Sequence, residues 1–319
     1  MAESGPSSRL PSWEDIREDD FGLPPAEPEV DPGWIHNLEP GELCGTYQRY
    51  VAQLALQGMS PLTGICELGA CDDAVTRDLS IPDPSAPFKT YFLSIHVFCE
   101  KNGTNCTATQ AAIDADISQL NENFAPWRMR FEYETDFIRD AKYRVLSSSE
   151  EGSMKRRYAK SPATKLNIYV VDVENVGMSW GTFPWDSGAL TYQGGIVLDM
   201  AHVGRYQILS HEVGHCVGLW HTFHGVSEVE LCSDCYEPAG RSLEQGDVTG
   251  DLCSDTAPTP SWSGCYDPGT GDTCTLLPWG ETPWQNYMGY GHACRIEFTR
   301  QQAGRMHCWT EDRLNGWLR

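Results

Sequence analysis

The sequence predicts an α+β fold in two parts, an upper half of strands and helices over an irregular, cysteine-rich lower half that ends in a helix. Three observations predict it. Strand and helix patterns alternate between residues 89 and 217. Residues 222–290 are rich in Gly, Pro and Cys and show little periodicity. The hydrophobic set makes up 40% of 319 residues, which is enough to bury a sizeable core.

The elements follow in order. Residues 1–43 hold 7 of the 20 prolines and carry 11 acids against 2 bases, a net of −9. Such a stretch has too little apolar surface to offset its ordering entropy, and reads as a solvated tail or a removable pro-segment. Residues 45–60 predict a short helix. Lys89–Phe98 is rich in β-branched and aromatic residues and predicts a strand, closed by a turn at Lys101-Asn102-Gly103-Thr104. Ala112, Ile113, Ile117, Leu120 and Phe124 recur at helical spacing over 109–124. Met129–Glu134, Leu166–Val171 and Gly194–Leu198 predict three further strands. A helix is predicted from Tyr206 to Val217 and another from Thr299 to about Leu318. A division follows into a leader at 1–43, a segment at 44–87, an upper subdomain at 88–221 and a lower one at 222–319.

Charge excludes one class of partner. With 45 acids against 23 bases the formal net charge is −22, and nucleic-acid affinity comes mainly from Lys and Arg on phosphates. No apolar run approaches the ~18 residues that span a bilayer. Met-Ala-Glu-Ser-Gly shows neither the basic nor the apolar region of a signal peptide. Thirteen cysteines nevertheless point to an oxidising compartment, hence to secretion, and an odd count leaves one thiol over.

The chemistry concentrates in His211-Glu212-Val213-Gly214-His215-Cys216-Val217-Gly218-Leu219-Trp220-His221. Residues four apart share a helix face, so His211 and His215 aim at one point. Glu212 lies one step round, where it reaches a metal-bound water rather than the metal. Gly218 can take the left-handed conformation that ends the helix, and the returning chain brings His221 as a third nitrogen ligand. Three protein ligands leave zinc a fourth position for water, the arrangement of a catalytic site. The full HExxHxxGxxH spacing arises by chance in on the order of one chain in 100,000, which sets aside the reading of ordinary core histidines. Asn286-Tyr287-Met288-Gly289-Tyr290 lies further along. Met288 can form an apolar base beneath the metal, and Tyr290 can reach an oxyanion.

These features resemble the pappalysin branch of the metzincin metallopeptidases. The resemblance covers about residues 44–319. It includes Met178-Ser179-Trp180-Gly181-Thr182-Phe183-Pro184-Trp185, Gly194–Leu198, His221-Thr222-Phe223, Gly250-Asp251, Asp255-Thr256, Phe298–Gln302 and Arg305-Met306. It implies a twisted, mainly parallel sheet with an antiparallel edge strand and an active-site helix. It implies a zinc endopeptidase acting on proteins or peptides, with His211, His215 and His221 as zinc ligands and Glu212 as general base. Met288 becomes the Met-turn residue and Tyr290 the transition-state stabiliser. Substrate is expected to pair with an edge strand around Leu190–Asp199.

Cys44-Gly45-Thr46 resembles the family's pro-segment motif, in which a thiolate caps the zinc in a latent zymogen; Glu42 stands where the family usually has Arg. The alternative is that Cys44 is half of a disulfide. Spacing offers Cys66/Cys71 and Cys99/Cys106 as local pairs, and Cys216, inside the helix motif, could pair with Cys308. The resemblance implies Cys265–Cys294, and Cys274 with Cys232, Cys235 or Cys253. Cys232-Ser233-Asp234-Cys235 also reads as half of a zinc ribbon, without a matching second half. Asn102 and Asn105 begin glycosylation triplets. The resemblance further implies structural calcium, for which Asp251, Asp255 and Thr256 are the candidate ligands. Family members often cut beside Arg or Lys, but Gly289 replaces the family's acid and no acid lies between Met288 and Cys294, which argues against that specificity. The rivals are a zinc-bound but inactive binding module and a secreted disulfide-rich structural protein. Oligomeric state is not legible.

Overall fold

The computed structural model describes residues 44–59, 66, 69–174, 177–205, 207–291 and 293–319. The acidic leader at 1–43 and the start of the predicted helix at Tyr206 lie outside the described residues.

The chain forms α1 (Thr46–Leu56), α2 (Ala74–Leu79), β1 (Lys89–Phe98), α3 (Gln110–Phe124), β2 (Met129–Ile138), β3 (Val145–Leu146), α4 (Glu151–Tyr158), β4 (Leu166–Val173), β5 (Ile196–Asp199), α5 (Ile208–Cys216), α6 (Leu243–Gly246) and α7 (Arg300–Asp312). The strands run in the order β2-β1-β4-β3, with β5 also pairing β4, and every pair of named strands is parallel. Parallel strands need crossovers, and α3 supplies the one between β1 and β2. Side chains alternate across the sheet. Ile95, Val97, Ile168 and Val170 face one core with Ile113, Ile117, Leu120 and Phe124 of α3 and with Ile208, Leu209 and Val213 of α5. Phe98, Tyr169 and Val171 face a second core with Met154 of α4. Both faces are covered, which explains why β1 and β4 read as nearly continuous apolar runs. Each such buried aliphatic side chain contributes about 1.5–3 kcal/mol.

The expected antiparallel edge is reduced to isolated bridges, Leu318 with Tyr91 of β1 and Trp180 with Val197, the latter with two backbone hydrogen bonds of 2.9 Å each. Pro184 lacks an N–H, so the Trp180 segment cannot extend far as a paired strand. The Trp180–Val197 bridge also corrects the expected substrate edge. Val197 is paired with Tyr169 of β4 on one side and with Trp180 on the other, so Leu190–Asp199 does not offer a free edge there. Ser179, buried on the segment that leads to Trp180, is bridged in parallel by Cys44, and Gly45 N donates to Ser179 O at 2.9 Å.

Five disulfides join the described residues: Cys66–Cys235, Cys71–Cys308, Cys99–Cys106, Cys232–Cys274 and Cys265–Cys294. Two expected pairs are corrected. Cys66 and Cys71 each reach across the chain, at separations of 169 and 237, to Cys235 and Cys308 rather than to each other. Cys308 is thereby taken, and Cys216 stays a buried free thiol, as do Cys44 and Cys253. Cys232 and Cys235 both lie in disulfides, which removes the zinc-ribbon reading. Asn102 and Asn105 are exposed in the loop that Cys99–Cys106 closes.

Candidate metal centre

The site is built around α5, whose nine residues are all buried. The helix cannot continue past Gly218, where φ is +107° and a Cβ would overlap the Trp309 ring. The chain turns back there, with Leu219 N donating to Gly214 O at 2.9 Å, and carries His221 round to the same face. The three Nε2 atoms stand 3.2 Å (His211–His215), 3.2 Å (His211–His221) and 3.1 Å (His215–His221) apart.

These contacts are not hydrogen bonds between the rings. His211 Nδ1 lies 2.6 Å from Tyr287 O, and His215 Nδ1 lies 2.8 Å from Leu219 O. A carbonyl only accepts, so each Nδ1 carries the proton and each Nε2 presents a lone pair. Burial holds all three imidazoles well below the usual histidine range, hence neutral, and Arg295 pushes each the same way. Converging neutral lone pairs repel unless a cation sits among them. Tetrahedral zinc with Zn–N near 2.0–2.1 Å places nitrogens about 3.3 Å apart, close to the observed spacing. Cys44 Sγ completes the set 3.4 Å from His215 Nε2, and the four donor atoms all lie within 4.8 Å of one another. The donors therefore fit zinc.

Glu212 sits beside this cluster. Its Oε2 accepts from Thr46 Oγ1 at 3.0 Å and lies 3.7 Å from Cys44 Sγ. Burial raises its carboxyl to about 8, against the opposing effects of the Thr46 and Cys44 bonds and the Arg295 charge. Met288 packs beneath α5: a Cβ at Gly214 would stand 2.5 Å from Met288 Sδ, so glycine there lets the thioether approach. Asn286 Oδ1 holds the turn by accepting from Met288 N at 2.9 Å. Tyr290 is buried over His221, and its hydroxyl donates to Cys44 O at 3.1 Å.

The calcium candidates do not gather into one donor set. Both Asp251 oxygens accept from Thr256 Oγ1, at 2.7 and 2.8 Å. Asp255 turns to α7, accepting from Thr299 Oγ1 at 2.6 Å and Gln301 N at 2.9 Å. The carbonyls of Ser254 and Thr256 accept from the Arg241 guanidinium, which also pairs with the buried Glu237.

Three contributors had no sequence signal. Thr46 accepts from Gly181 N at 2.8 Å while donating to Glu212, a dual role that no spacing announces. Arg295 is buried near Cys44, Glu212 and Tyr290; burial lowers its guanidinium to about 10, and its interactions with those three groups act in the opposite direction. Glu228, in a single wide helical turn over His224–Glu228, bonds His221.

A mainly parallel sheet, an active-site helix, a tight turn to a third histidine and a methionine turn beneath them define a metzincin-type metallopeptidase scaffold. Comparison with known proteins makes the class specific. The family model described as pregnancy-associated plasma protein-A, Peptidase_M43, matches residues 156–311. Pappalysin-1 of Homo sapiens is 38% identical over 193 residues, 58% of this chain, and the chain spans only 11% of that protein's length. An extracellular metalloprotease of Colletotrichum graminicola is 32% identical over 221 residues, covering 65% of this chain and 71% of the relative. In fold, a promirolysin mutant from Tannerella forsythia superposes with a TM-score of 0.58 at 18% identity, over 85% of this chain and 94% of the other. The chain belongs to the pappalysin family of metallopeptidases.

Proposed function

We propose that this chain is a secreted zinc endopeptidase held latent by its own Cys44-Gly45-Thr46 segment. The observation that carries the reading is the convergence of three proton-free Nε2 atoms beside the Glu212 carboxylate, with the Tyr290 hydroxyl already donating to a backbone carbonyl. His211, His215 and His221 hold the metal. Zinc held there would supply Lewis acidity, lowering the pKa of a water from 15.7 to about 7 and polarising a peptide carbonyl. Glu212 takes the proton of the attacking water and returns it to the leaving amine. The Tyr290 hydroxyl donates to the carbonyl oxygen as charge develops there. Met288 supports the His-bearing helix from below.

The latent state follows from the same contacts. Cys44 Sγ, within 4.8 Å of the three histidine donors, would fill the position that a metal-bound water needs, and Cys44 O accepts from the Tyr290 hydroxyl as a scissile carbonyl would. Burial and the Glu212 charge push the Cys44 thiol well above its usual range, so its deprotonation there requires a neighbouring cation. Thr46 occupies the base. The likeness in fold to a protein titled promirolysin supports this reading. Five disulfides and relatives named extracellular support export.

The test is casein digestion by the chain cut just after α1, compared with the intact chain and with cut Glu212→Ala. The cut parent should digest casein and bind one zinc. Cut Glu212→Ala should retain zinc and lose activity by at least roughly 100-fold. Zinc binding without digestion by the cut parent would instead identify an inactive binding module. Digestion by cut Glu212→Ala at the parent's rate would remove Glu212 from the mechanism.

A further inference from the structure

Two of the three clustered imidazoles are oriented by main-chain carbonyls, and one is not. His221 Nδ1 lies 2.6 Å from Glu228 Oε1. The other carboxylate oxygen, Oε2, lies 2.9 Å from His224 Nδ1. The Glu228 side chain is 6% exposed and the His221 side chain 1%, so this is a buried contact and not a surface ion pair. A wide helical turn over His224–Glu228 brings both acceptor oxygens inward at once. His224 is itself fixed, stacked on Trp220 at 4.0 Å between centroids and 6° between planes.

We propose that Glu228 is a positioning residue for the metal centre: its carboxylate fixes the His221 tautomer and ring, and makes His221 the most strongly donating of the three nitrogen ligands. The argument rests on the metal-centre reading above. A carboxylate carries a full negative charge where Tyr287 O and Leu219 O carry only a partial one. Charge-assisted bonds to histidine raise its basicity as a ligand, and losing such a partner weakens metal binding by roughly 10–100-fold. His224 serves the second oxygen and stops the carboxylate from rotating away. The backbone carbonyl of Glu228 also accepts from Tyr47 Oη of α1, so the latent segment touches the same residue.

The full-length chain, loaded with zinc or cobalt, tests this. Glu228→Gln keeps the shape and the acceptor oxygen but removes the charge; Glu228→Ala removes both. Chelator competition should show about 10-fold weaker zinc binding for Gln and up to about 100-fold for Ala. The visible absorption bands of the cobalt form should shift in Glu228→Gln while its far-ultraviolet circular dichroism stays that of the parent. After cutting behind α1, Glu228→Gln should lose kcat with KM unchanged. Glu228→Gln matching the parent in zinc affinity and cobalt spectrum would overturn the proposal, leaving His221 oriented by the fold alone. A parent chain that binds no zinc would overturn the metal-centre reading itself. If Glu228→Ala does not fold, the isosteric Gln variant still decides the matter.

Discussion

Thr46 and Cys44 act on different atoms of one site. Cys44 Sγ approaches the imidazole cluster, whereas Thr46 Oγ1 bridges Gly181 N at 2.8 Å and Glu212 Oε2 at 3.0 Å. Thr46 is 1% exposed, so neither partner can turn to water when the hydroxyl is lost. Leaving a buried donor and a carboxylate oxygen unmet costs about 1–3 kcal/mol. Thr46→Val therefore destabilises the latent state relative to the open one, and full-length Thr46→Val should digest casein roughly 5- to 100-fold faster than the uncut parent. Cys44→Ser should leak as well, because a serine hydroxyl is a poor ligand for zinc. A Thr46→Val chain as silent as the parent would show that the thiol alone maintains latency. At this scale the convergence of the three histidines beside Glu212 was legible, because helical spacing puts His211 and His215 on one face and a glycine-ended turn returns His221 to it. Arg295 and Glu228 were not, since their closeness to the site depends on long turns with no period.

Helix α1 docks through a buried charge. Arg49 Nε lies 3.4 Å from Glu151 Oε1 on α4, and the same oxygen lies 2.7 Å from Lys155 Nζ and 3.1 Å from Trp180 Nε1. Burial alone would raise the Glu151 carboxyl; the Lys155 ammonium and the Arg49 guanidinium overcome it and hold the group at about 2. Its folded pKa is thus below the ordinary value of 4.5, so the stabilisation is complete above pH 4.5 and is lost as pH falls through about 2. The gap corresponds to about 3 kcal/mol. The difference in Tm between the parent and Glu151→Gln should be large at pH 6 and shrink towards zero near pH 2. A difference that does not vary with pH would mean the ion pairs do not stabilise the fold. This element also marks where periodicity fails. Glu-Gly-Ser-Met-Lys-Arg-Arg-Tyr offers one buried apolar residue, Met154, and buries Glu151 and Lys155 as a pair, so no apolar stripe reveals α4. β1 was legible over its full length because both of its faces meet apolar layers.

At the scale of the whole molecule, the disulfides decide which part can leave. A reading from motif and composition groups residues 44–87 together as one segment ahead of the catalytic part. The covalent structure divides them. Cys66 is bonded to Cys235 and Cys71 to Cys308, while Asp72 pairs with Arg305 at 2.5 Å and Arg77 Nη1 donates to Leu252 O at 2.7 Å. Both side chains of the Asp72–Arg305 pair are fully buried, so removing either partner would leave an uncompensated charge, and the segment from Cys66 onward belongs to the body of the protein. Helix α1 lies on the other side of that tether. On the proposed latency, a cut between α1 and Cys66 would turn the inhibitory segment into a separate chain, and the effective concentration of millimolar order that held it in place would be lost on dilution. A cut between Cys71 and β1 leaves α1 attached through two disulfides, and the site should stay closed. Specific-protease sites engineered at 57–59 and at 82–86, both largely exposed stretches, make the comparison. Cutting at 57–59 should activate the enzyme under non-reducing conditions. Cutting at 82–86 should give two chains that co-migrate until reduced, with no gain in casein digestion. Equal activation from both cuts would show that α1 escapes while tethered, and that inhibition rests on strain in the intact chain rather than on proximity.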